Sequence, residues 1–165
     1  MIRIAILACV MLALGGCAET LAGFGLGNKP ASTAGATPPP DQPVLAPATA
    51  APPPPPAART VEALDTTTPE QRAAAAIPAS SGGRVLGTTV ASLGSATEPG
   101  LWLKTPLVET EAQGRVTNPA NGKSSAVTLL PIEGAATAGS RMSLAALRVI
   151  DASLTDLTPV EVSLE

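Results

Sequence analysis

Residues 114–130 read GRVTNPANGKSSAVTLL. Asn121-Gly122 is a tight-turn dipeptide, because Asn and Gly tolerate positive φ. Runs rich in Val, Thr and Leu flank it at 114–118 and 123–130, which predicts two strands joined by a turn. Working outward, residues 84–93 read as a Val- and Thr-rich strand. Residues 101–104 read as another, with Leu101 and Leu103 on one face, and 107–111 as a further one. Residues 159–165 alternate: Val160, Val162 and Leu164 face one way, Glu161, Ser163 and Glu165 the other, as in a half-buried strand. Residues 143–150 are helical, with Ser143 placed to cap and Leu144, Leu147 and Ile150 recurring at helical spacing. The expectation is a mainly β fold over 82–165: a small β-barrel with one short helix and a modest Val/Leu/Ile core.

Composition changes at Gly82-Gly83. Upstream, residues 28–81 are Pro, Ala, Thr and Gly, with 13 of the chain's 18 prolines between Pro30 and Pro78. Such a stretch offers little apolar surface to offset its ordering entropy, so it reads as a disordered linker. Its runs at Pro38-Pro39-Pro40 and 52–56 favour extended polyproline II, a semi-stiff tether. One local exception stands out. Thr68-Pro69-Glu70-Gln71 is a capping-box pattern with Pro at the first helical position, and Pro78 stops the run. A helix over 69–76 is too short to be stable alone and predicts docking on the domain that follows.

At the N-terminal end, Arg3 precedes an uncharged apolar run over 4–14. That run suits a signal peptide and is too short for a bilayer span. Leu14-Gly15-Gly16-Cys17 then resembles the bacterial lipobox: an aliphatic residue, two small residues and the Cys that takes the lipid. The expected organisation is a signal peptide over 1–16, a lipidated N-terminus over 17–27 beginning at Cys17, the linker, and the barrel. Two or three acyl chains give stable membrane anchoring. Ala18 resembles the residue found there in lipoproteins sent to the outer membrane, which implies a cell-envelope location on its periplasmic face.

The formal charge is −3, and loss of Arg3 with the signal peptide leaves about −4. No Lys/Arg cluster exists, which argues against nucleic acid as a partner. The chain has no His, the commonest neutral-pH acid/base group and metal ligand. No phosphate loop, zinc spacing or nucleophile elbow is present, and Asp151 and Asp156 lack the spacing of a calcium loop. No metal or other cofactor is expected.

Val116-Thr117-Asn118-Pro119-Ala120-Asn121-Gly122-Lys123-Ser124 is similar to a strand-turn-strand of rare-lipoprotein-A-like double-psi β-barrels. Gly139-Ser140-Arg141-Met142-Ser143-Leu144-Ala145 and Leu157-Thr158-Pro159-Val160-Glu161-Val162 resemble that family's helix and last strand. The resemblance covers roughly residues 103–165. It implies a double-psi-like barrel on a lipid anchor. Active members of the family resemble peptidoglycan-cleaving lytic transglycosylases that pair a His with an Asp. Here there is no His, the Asp-bearing stretch is replaced by Leu130-Pro131-Ile132-Glu133-Gly134, and Ser143 stands where the helix opens with Asp. The resemblance therefore implies a degenerate, non-catalytic relative, because fold does not carry function. A second, weaker likeness, at Gly87-Thr88-Thr89-Val90-Ala91-Ser92-Leu93 and Glu98-Pro99-Gly100-Leu101-Trp102-Leu103, is to short bacterial lipoproteins labelled galactarate dehydratase. It implies a sugar-acid lyase, for which these residues supply neither a base nor a metal site.

Candidate binding residues follow. Trp102 is the sole Trp and offers a sugar-stacking face, although a lone Trp in an apolar strand reads more readily as core. Glu109 and Glu111 have strand spacing and would share a solvated face; opposed across a groove, paired carboxylates do glycosidase work. Glu133 falls near the family's lost Asp and is a candidate replacement acid. Arg141 and Arg148 are candidates for anionic cell-wall groups or, more plainly, for a solvated helix flank. The functional expectation is a membrane-anchored, non-catalytic module that binds peptidoglycan or an envelope protein complex. The alternative is an enzyme, either a peptidoglycan-cleaving barrel with relocated carboxylates or a sugar-acid dehydratase.

Overall fold

The computed structural model describes residues 46–79 and 83–165. The expected signal peptide, Cys17 with the lipidated segment, and the linker over 28–45 and 80–81 lie outside the described residues. Two short helices come first, α1 (Val61–Leu64) and α2 (Pro69–Ala76). Then follow β1 (Val85–Leu93), β2 (Trp102–Thr105), β3 (Ala112–Thr117), β4 (Ser124–Pro131), β5 (Ser140–Met142), α3 (Leu144–Val149) and β6 (Thr158–Leu164). The fold is mainly β, as expected.

The six strands close into a barrel in the order β1-β5-β2-β4-β3-β6. β1 runs parallel to β5, and β2 parallel to β4; the other four pairings are antiparallel. Advancing every strand by three places along the chain maps this ring onto itself, parallel pairs included. The halves β1–β3 and β4–β6 are thus topologically alike, and they interlock, with β5 between β1 and β2 and β2 between β5 and β4. Closure leaves no strand edge free to pair with another molecule.

Alternation places Ala91, Leu103, Val116, Val127, Leu129, Met142, Val160 and Val162 in the apolar core, with Leu147 and Ile150 from α3 and its C-cap. Each is fully or almost fully buried. A Leu in this position stabilises the fold by roughly 2–5 kcal/mol relative to Ala. The core also holds a chain of hydroxyls: Ser140 Oγ lies 2.9 Å from both Thr89 Oγ1 and Thr105 Oγ1. These buried groups satisfy one another, so they do not carry the cost of an unmade hydrogen bond.

The Asn-Gly turn forms between β3 and β4. Gly122 has φ +69° and Asn118 N donates to Lys123 O at 2.8 Å. The turn does a second task, because Asn118 Nδ2 and Asn121 Nδ2 both donate to Ile150 O, at 3.3 and 3.0 Å. They satisfy a carbonyl left open at the end of α3. At its start, Ser143 Oγ accepts from Ala146 N, the expected cap.

Three expectations are corrected. Residues 107–111 form no strand: Pro106 follows β2 directly, and Leu107 N bonds to Thr105 Oγ1 at 3.3 Å, closing a turn there. β5 was not expected as a strand; at three residues it is too short for alternation to show. The linker reading fails over residues 46–79, which lie against the outer face of the barrel. Thr49 O accepts from the fully buried Leu101 N at 2.8 Å, and Thr49 Oγ1 meets Thr128 Oγ1 at 2.7 Å. Helix α2 has the expected bounds and its full capping box, with Thr68 Oγ1 accepting from Gln71 N and Gln71 Oε1 from Thr68 N. It docks through Ala75, which is buried and whose carbonyl accepts from Arg115 Nη1 on β3 at 3.1 Å, while Gln71 Nε2 ties the helix to Ala50 O of its own segment at 2.8 Å. The carboxylate of Asp65, just after α1, is fully buried and shared by Arg72 and Arg148, which clasps this segment to α3. Among the described residues no helix is long and apolar enough to cross a membrane.

Candidate functional site

On β1 and β5 the outward-facing residues form a shallow groove. Val90, Ser92, Gly139, Ser140, Arg141 and Leu157 line a space of about 450 Å³. β5 places Arg141 opposite Ser92 on one side and Lys104 on the other. Val90 and Leu157 are large apolar side chains left 42% and 70% exposed, so the groove has apolar walls beside one guanidinium. Arg72, Lys104, Arg115, Lys123 and Arg148 each have a carboxylate within ion-pair distance; Arg141, like Arg59 and Arg84, has none among the described residues, and of these three it alone lines the groove. Its charge is exposed, and its planar set of donors suits carboxylate or phosphate oxygens.

Trp102 is fully buried, so it offers no stacking face to solvent. It is buried outside the central apolar cluster: alternation with Leu101 and Leu103 turns it to the other side of β2, where Gly94 lies against it. Gly94 lies so close that a Cβ there would stand 2.4 Å from the indole Cη2. Lys104 Nζ sits 4.8 Å from the centre of the ring, a cation–π contact, and 2.8 Å from the Glu98 carboxylate that holds it there. The indole Nε1 is buried without a partner among the described residues.

Glu133 is exposed on the loop between β4 and β5 and makes no hydrogen bond or ion pair with any described residue. Glu109 and Glu111 are exposed and, with no strand at 107–111, do not share a strand face. Arg148 is tied to the buried Asp65 carboxylate rather than left on a solvated helix flank. Among the described residues no group of three or more His, Cys, Asp and Glu side chains is placed to hold a metal ion.

Sequence reasoning missed Arg115. It lies on β3 between Gly114 and Val116, where alternation points it outward and reads as solvated. Instead α2 covers it, leaving its side chain 10% exposed. No protein-family model, curated protein or solved structure matches this chain.

Proposed function

We propose that this protein is a non-catalytic envelope lipoprotein, held to the membrane through lipid on Cys17, whose barrel binds peptidoglycan along the β1–β5 groove. The observation that carries the reading is the unpaired Arg141 flanked by exposed Val90 and Leu157. Peptidoglycan presents carboxylates on short peptides beside sugar faces, and a guanidinium between apolar walls complements both. Two further points support a binding module over an enzyme. A general acid or base must be held within hydrogen-bond reach of the bond it cleaves, and Glu109, Glu111 and Glu133 are exposed side chains that no described residue positions through a hydrogen bond or ion pair. The resemblance to rare-lipoprotein-A-like double-psi barrels also lacks that family's His and Asp here. An outer-membrane anchor would hold the barrel in the compartment that contains the cell wall.

The test is a binding titration of the full chain with soluble peptidoglycan fragments. The account expects saturable binding that weakens with salt and falls about two- to fivefold in Arg141→Glu, the range for one partly screened charge contact. Binding that ignores both salt and Arg141→Glu would remove the groove from the account.

A further inference from the structure

The face of the barrel opposite the groove carries a second pocket. Ala74, Ile77, Pro78, Ala79 and Ala126 wall a space of about 410 Å³ whose charged members are Arg115 and Glu165. The Arg115 guanidinium is fixed on one side, because Nη1 donates to Ala75 O at 3.1 Å and to Ser124 Oγ at 3.2 Å. Its other edge is half used. Nη2 is paired with Glu165 Oε1, while Nε is buried and has no partner among the described residues. A carboxylate bound side-on to arginine takes both Nε and Nη2, in two parallel hydrogen bonds. Glu165 uses only one of them, and its own side chain is 35% exposed. The internal carboxylate is thus a weaker, monodentate occupant of a bidentate site, seated where solvent can reach it.

We infer that this pocket is a binding site for a carboxylate carried next to a small apolar group, which displaces Glu165 and takes the Nε–Nη2 edge of Arg115. The walls set the class: alanine, proline and isoleucine side chains fit a methyl or ethyl group and offer no partner to a second charge. A short free monocarboxylic acid and the C-terminal carboxylate of a peptide ending in alanine share this chemistry. The inference is independent of the β1–β5 groove, which contributes no residue to it.

The experiment titrates the full chain with propionate, with an acetylated peptide ending in alanine, and with the same peptide amidated at its C-terminus. Amide shifts at Ala74 and Ala126 report occupancy. Saturable binding of either acid supports the site, and the tighter of the two names its source; the amidated peptide should not bind. Glu165→Gln removes the competing charge and should tighten binding about two- to fivefold, while Arg115→Lys, which keeps charge but not the planar edge, should abolish it. Should Arg115→Lys fail to fold, Glu165→Gln and the amidated peptide still decide. No saturable binding of either acid, equal binding of the amide, or no tightening in Glu165→Gln would overturn the inference. The pair would then be a structural link between α2 and the barrel.

Discussion

Replacing Thr49 with Val removes one hydroxyl and almost no volume, and it tests whether the proline-rich segment is part of the fold. Thr49 is 3% exposed and Thr128 fully buried, and their hydroxyl oxygens are 2.7 Å apart. After the change, Thr128 Oγ1 faces a methyl. Its remaining neighbour, Gln113 Nε2 at 3.4 Å, is at the long end of hydrogen bonding and compensates little. A buried hydroxyl left without its partner costs about 1–3 kcal/mol, so Thr49→Val should destabilise by about 1–2 kcal/mol. Thr128→Val should cost a similar amount. The double variant should cost less than the two together, because no buried hydroxyl is left unpaired and Ala46 O, which loses the Thr49 hydroxyl, keeps its bonds from Thr49 N and Ala50 N. Deleting residues 46–79 goes further. It orphans the buried Leu101 N–H and takes Ala75 O from Arg115 and Asp65 from Arg148. The summed loss is several kcal/mol against a total of roughly 5–15 for a domain, so residues 83–165 alone should be largely unfolded. Urea unfolding followed by Trp102 fluorescence and far-ultraviolet circular dichroism reads all of these, with a common slope for the single variants. An unchanged midpoint in Thr49→Val, together with a stable 83–165 fragment, would show that the segment merely lies on the barrel.

Further predictions concern the Gly94 contact with Trp102, the Asp65 clasp and the start of α2. Gly94→Ala puts a methyl into the indole and should open the 94–100 loop, raising acrylamide quenching of Trp102 from the low level expected of a fully buried ring; unchanged quenching would contradict the contact. Asp65→Asn should destabilise by about 1–3 kcal/mol, less than a fully buried pair, because Arg72 and Arg148 are about one third exposed; calorimetric melting of the full chain checks it. The hydrogen bond from its own backbone N–H, and then that from Thr68, hold the Glu70 carboxyl below the usual carboxylate range. A carboxyl lowered by folding contributes stability above its unfolded value and loses it as pH falls through the folded one. The melting difference between wild type and Glu70→Gln should therefore shrink on acidification below the ordinary carboxylate range, and a difference independent of pH would contradict this.

How far the sequence disclosed this structure depended on which force holds each part. β1, β4, β6 and α3 were legible because apolar periodicity and capping residues mark them, and α2 because Thr68 and Gln71 form a local motif that needs no tertiary information. Residues 46–79 were misread because composition weighs apolar burial, whereas Thr49, Ala75 and Asp65 attach this segment through carbonyls, a hydroxyl and a carboxylate. The polar groups of a Pro/Ala/Thr stretch reveal no partner until the barrel supplies one. Residues 107–111 misled for the opposite reason: Leu107 and Val108 look strand-like, but Pro106 and the Thr105 hydroxyl set a turn first. At the candidate sites, Arg141 was legible as a free cation. The contact on Trp102 and the cover over Arg115 come from residues 8 and about 40 positions away, Gly94 and Ala75, which no local pattern connects.

The central claim is that the barrel binds the cell wall without cutting it. Co-sedimentation of the full chain, in detergent, with peptidoglycan sacculi tests this most directly when both pelleted protein and released muropeptides are scored. The account predicts pelleting that weakens in Arg141→Glu, with no release above the protein-free control. Release of muropeptides, or protein that stays wholly in the supernatant, would contradict it.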